Sequence, residues 1–210
     1  VTVYYPDNNT WLDLRDCDSF TSTGSTIVRS HSHDIRVYPA GYSFHNFTCS
    51  GNEWGSGTVQ FIGSDFVCTG TLTIADEAGF RAVGGNGDYD ITVNALVMTD
   101  SASFNEELTA ADQALDVGPG GVSIGAGCTF TPSSDTAVTC AGDWTVADAS
   151  AYTHGGSSLT FDGAVTQTVT SNSSVYDEVV VTNASAGGVV FGDAFTAASL
   201  TNNTASSKMT

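Results

Sequence analysis

The chain has 210 residues, enough for one substantial core or one repeat array. Only five Lys and Arg face 23 Asp and Glu, and the resulting charge of −18 repels phosphate backbones and anionic lipid headgroups, which argues against nucleic-acid and membrane-surface partners. A hydrophobic content of 40% is that of a folded protein, so the low charged fraction of 13% describes a surface of Ser, Thr, Asn and Gly rather than disorder.

In chain order, residues 1 to 40 read as a cap or lead-in, holding three of the five basic residues (Arg15, Arg29 and Arg36). Strand-like alternation appears at Val1–Tyr5, Thr10–Leu14 and Ile35–Tyr38. The chain starts at Val1 without a charged leader, and is expected to be a mature or trimmed product. From Gly41 onward, β-branched and aromatic runs of three to seven residues recur between Gly, Asn, Asp and Ser turns. Examples are Phe44–Cys49, Val59–Ile62, Phe66–Cys68, Thr71–Ile74, Ile91–Val93 and Leu96–Met98, and the series continues to Leu200. Residues 104–116 are the one acidic, Ala-rich interruption, expected to protrude as an insertion. No run of eighteen apolar residues occurs, so no segment is expected to insert in a membrane.

Phe44-His-Asn-Phe-Thr-Cys-Ser-Gly51 aligns with Tyr176-Asp-Glu-Val-Val-Val-Thr-Asn183, which favours an open array of stacked coils over an antiparallel β-sandwich. The passages Cys140-Ala-Gly-Asp-Trp144, Leu159 to Val169 and Gly187-Gly-Val-Val-Phe-Gly-Asp-Ala194 resemble the right-handed parallel β-helix repeats of large bacterial, archaeal and viral surface proteins. The resemblance covers residues 41 to 210 and implies an all-β solenoid that serves as stalk, adhesin or fibre material. It further implies an extracellular, cell-surface or virion location, with partners that are neighbouring subunits or surface glycans.

Candidate sites are few. His31 and His33 alternate on one side of a strand at metal-ligand spacing, but a solvent-facing polar strand explains them as well. The turn Gly84-Gly-Asn-Gly-Asp-Tyr-Asp90 makes Asp88 and Asp90 the calcium candidates, calcium being the only cofactor the composition suggests. Cys128 and Cys140, twelve residues apart on successive runs, are the disulfide candidates. Sequons at Asn8, Asn46, Asn172, Asn183 and Asn202 are glycosylation candidates. A carbohydrate-binding or polysaccharide-cleaving protein would line a groove with Trp54, Trp144, Tyr152 and Tyr176. Catalysis is the minority reading: from Gly41 onward there is one Arg and one Lys, Arg81 and Lys208, and no adjacent pair of aspartates. Finally, Thr71-Leu-Thr73, Thr129-Phe-Thr131 and Thr166 to Thr170 put Thr on one strand face, an arrangement that suits ice binding if the rows fall in register, and that also simply reflects strand propensity.

Overall fold

The computed structural model describes residues 2–4, 11–30, 34–51, 57–82, 89–105, 113–134, 136–204 and 209. These residues form twenty strands and no helix, and none of the strand pairings is antiparallel. The fold is a parallel β-solenoid of about seven turns, and the antiparallel sandwich is ruled out.

One coil shows how the residues specify the fold. Strand Phe66–Ala75 turns Phe66 and Cys68 inward on a first wall and Leu72 and Ile74 inward on a second. The turn Ala75-Asp-Glu-Ala78 follows, with φ of 54° at Asp76 and 61° at Glu77 and a 3.0 Å bond from the Ala78 amide to the Ala75 carbonyl, the pattern of a type I′ turn. Strand Gly79–Ala82 then forms a third wall and turns Phe80 inward. The next coil repeats the sequence of events in Ile91–Met98, a turn at Asp100 and Ser101, and Ser103–Asn105. From residue 137 on, the long strand divides into separate first- and second-wall strands, such as Ala137–Cys140 and Trp144–Val146.

The register stacks like on like. On the second wall Phe47, Leu72, Leu96, Val122, Trp144 and Val169 form one inward column, and on the first Phe66, Ile91, Leu115, Val138, Leu159 and Val179 form another. The third-wall column is aromatic: Phe80, Phe104, Phe130, Tyr152 and Tyr176 follow one another with ring centroids 4.8–5.7 Å apart. Offset and edge-on rings packed at this distance add to the free energy of burying their area, so the aromatic column stabilises the stack of coils.

Three sequence expectations change here. Strands Thr2–Tyr4, Trp11–Asp13, Ser25–Arg29 and Ile35–Tyr38 already belong to the same parallel ladders, so no break in the described residues marks position 41. Residues 104–116 do not protrude as a whole: Phe104 is a fully buried core ring and strand Ala114–Ile124 begins inside the range, while 106–112 lie outside the described residues. The alignment of Phe44 with Tyr176 pairs different walls, since Phe44 sits beside Cys68 on the first and Tyr176 stacks on Tyr152 in the third.

Candidate functional surface

Three of the four aromatics expected to line a groove face the interior instead. Trp144, Tyr152 and Tyr176 are 0%, 4% and 1% exposed, and Trp54 lies outside the described residues. Trp144 Nε1 donates to the Tyr176 hydroxyl at 3.0 Å, which satisfies both polar atoms within the core. Burial pushes the Tyr152 hydroxyl up to about 12, and that of Tyr176 higher still, so neither phenol ionises near neutral pH.

The carboxylates join neighbouring coils. Asp65 Oδ1 accepts the Asp90 amide at 3.1 Å, and Asp90 Oδ1 accepts the Ala114 amide one coil further on at 2.9 Å. Asp90, a calcium candidate, thus bonds to backbone; Asp88 lies outside the described residues, as do His31 and His33. Asp143 accepts the Thr168 amide at 2.7 Å, and Asp34 accepts from the Thr58 amide and Gln60 Nε2. Asp193 takes the amides of Ser171 and Asn172 and the Ser171 hydroxyl, and these donors hold its carboxyl below the usual range. Ser150, through side chain and backbone, and then the Gly127 amide do the same for Asp148. Asp162 moves upward, because burial and then the nearby Asp116 disfavour its charge. Among the described residues no three His, Cys, Asp or Glu side chains converge as a metal site would require.

All five cysteines are free thiols, so the expected Cys128–Cys140 bridge does not form. Cys128 ends the turn that leads into the third-wall strand Thr129–Thr131, whereas Cys140 closes the first-wall strand Ala137–Cys140, so the two belong to different walls. Cys140, Cys49 and Cys68 serve as core residues, and burial raises all three thiols, Cys140 to about 12.

The sequons divide by burial. Asn183 is 0% exposed, and its Nδ2 donates to the Val165 carbonyl and to Gln167 Oε1, each at 2.8 Å, while Gln167 Nε2 donates to the carbonyls of Cys140 and Gly142. A glycan on that nitrogen would have to break this network, which makes Asn183 a structural corner. Asn172 Nδ2 donates to the Val146 carbonyl, Asn46 Oδ1 accepts the Thr71 amide, and Asn202 is exposed with Oδ1 taking the Thr204 amide. Asn8 lies outside the described residues.

One surface stands apart. The second-wall strands, from Ser25–Arg29 and Asn46–Ser50 through residues 71–75, 95–98 and 121–124 to Trp144–Val146, Gln167–Thr170 and Val189–Phe191, contain a single charged residue, Arg29. Their central outward row reads Ile27, Thr48, Thr73, Val97, Ser123, Thr145 and Thr170, in register coil upon coil. The Thr71–Thr73 and Thr168–Thr170 pairs of the sequence meet here, whereas Thr129 and Thr131 lie on the third wall. By contrast the first wall carries Asp116 and Glu178 within its strands, with Asp65 and Asp90 just before them, the place that Asp143 alone takes before the second-wall strand Trp144–Val146. Comparison with protein-family models, curated proteins and solved structures returns no match.

Proposed function

We propose that the chain is a non-catalytic structural or adhesive element of an extracellular surface assembly, a fibre, stalk, envelope or virion, whose partners are neighbouring subunits or surface glycans. The observation that carries this reading is the placement of the reactive side chains: carboxylates tie one coil to the next, while four of the five thiols and the central aromatics fill the interior. A chain built this way spends its functional groups on a long, uninterrupted stack, which is the demand made on a spacer or scaffold. The location and partners follow from the resemblance of residues 41 to 210 to β-helix surface proteins.

Electron microscopy of the native source, with the chain labelled by antibody, tests the proposal directly. Labelled filaments, lattices or surface projections are the expected result. Diffuse label inside the cell, or turnover of a polysaccharide panel by the purified chain, would refute it.

A further inference from the structure

We propose that the second wall is an ice-binding face. This inference is independent of the assembly reading and starts from the charge map. In a chain of net charge −18, eight stacked strands carry one charged residue, Arg29, and the one carboxylate in register beside their central row is Asp143, which takes the Thr168 amide. Charged groups hold tightly oriented hydration shells that a crystal of water does not accommodate. A central row without them, lined mainly by side chains that combine a methyl with a hydroxyl, leaves its first water layer free to adopt lattice order.

The geometry supplies the periodicity. Thr48, Thr73, Val97, Ser123, Thr145 and Thr170 follow the ladder, about 4.8 Å from coil to coil, and neighbouring outward rows along a strand lie ~6.6 Å apart. Ala75 and Thr99 extend the row on one side; on the other, Thr71 leads through the buried Ala95 and Gly121 to the exposed Asp143, whose carboxylate takes the Thr168 amide, and then to Thr168. The inward columns fix the register of these rows, and stacked side-chain ladders of this kind keep a parallel sheet flat. Thr hydroxyls can both donate and accept, as lattice oxygens require.

Other occupants fit less well. Eight strands at the ladder spacing, three outward rows wide, offer roughly 400–500 Å² per copy, well under the ~800 Å² per partner of a stable dimer. A crystalline polysaccharide would be gripped by exposed aromatic rings, and the described residues of this wall turn none outward.

The test compares the full chain with Thr73→Lys and Thr145→Lys on the second wall and Thr160→Lys on the first, each checked by circular-dichroism melting. Thr145 is exposed, so a lysine there has room even if the half-buried position 73 does not tolerate one. Ice-crystal growth is followed by nanolitre osmometry. The expected result is a gap between melting and growth temperatures for the native chain and Thr160→Lys, with most of that gap lost in either second-wall variant. No growth arrest at millimolar concentration, or equal loss in Thr160→Lys, would overturn the proposal. So would a concentration-dependent dimer that Thr145→Lys dissociates while the native chain leaves ice growth unaffected.

Discussion

Replacing Phe104 by Ala tests the aromatic column where it is most enclosed. The ring is fully buried and lies between Phe80, at 5.0 Å and 17° from parallel, and Phe130, at 4.8 Å. Truncating a buried Phe costs about 3–5 kcal/mol, transfer and cavity terms together, and the lost ring pairs place this site toward the upper end. Phe195, the partly buried end of the same column, stacks on Tyr176 at 4.8 Å but is covered on fewer sides, so Phe195→Ala should cost about 1–2 kcal/mol. Urea unfolding followed by circular dichroism supplies both values. Because each coil contacts only its neighbours, a lesion at the centre also uncouples the two halves, and the Phe104→Ala transition should broaden or split. A cost below about 1 kcal/mol at Phe104, or one no larger than at Phe195, would mean that the rings do not form a continuous load through the core.

Four further outcomes follow from the same contacts. Gly121 has φ of 73° and a Cβ there would lie 2.3 Å from the Asp143 carbonyl oxygen, so Gly121→Ala should cost at least about 1–2 kcal/mol by thermal melting, while Gly24→Ala, with open space around it, should be near neutral. Asp193→Ala strips the Ser171 and Asn172 amides of their acceptor and should cost about 1.5–3 kcal/mol. Because the folded state lowers the carboxyl of Asp193, its contribution is complete at neutral pH and fades as pH drops below about 4; the variant's melting temperature should therefore change less than the native one between pH 5 and pH 2, and parallel curves would contradict the assignment. Iodoacetamide at pH 8 should modify Cys17 alone in the native chain and all five thiols after denaturation, read by mass spectrometry; a second native adduct or a disulfide would be inconsistent with the burial of the other four. In a chain secreted from a eukaryotic host, glycopeptide mapping should find Asn183 unmodified, and a folded product glycosylated there would disprove its role as a corner.

The strands were legible because period-two alternation of β-branched and aromatic residues has few other outlets in so polar a chain. Their boundaries were less so. Phe66–Cys68 and Thr71–Ile74 read as two strands separated by Gly70, yet they form one, Phe66–Ala75. The same holds for Ile91–Met98 across Asn94 and for Ala114–Ile124 across Pro119. Glycine at these points does not signal a chain reversal: a Cβ at Gly70 would meet Asn46 Oδ1 at 2.2 Å, and one at Gly120 would meet the Asn94 carbonyl at 2.8 Å. These residues are small because adjacent coils approach closely while the chain runs on.

The coil period was present in the sequence in a form that a search over longer intervals misses. Leu72-Thr-Ile-Ala-Asp-Glu-Ala-Gly-Phe80, Leu96-Val-Met-Thr-Asp-Ser-Ala-Ser-Phe104, Val122-Ser-Ile-Gly-Ala-Gly-Cys-Thr-Phe130 and Trp144-Thr-Val-Ala-Asp-Ala-Ser-Ala-Tyr152 share one pattern: two apolar residues for the second wall, a turn, a small buried residue, and an aromatic for the third. Each position has a cause. Asp76 and Glu77, Asp100 and Ser101, and Gly127 take positive φ in the first three turns, whereas Asp148 closes the fourth by accepting the Ser150 amide and hydroxyl; the small residue sits where the chain bends back over the preceding coil. Once the aromatics are aligned at their spacing of 22 to 26 residues, the outward positions align with them. The absence of charge along Thr48, Thr73, Val97, Ser123, Thr145 and Thr170 then becomes a property of one face, which no local window of the sequence contains.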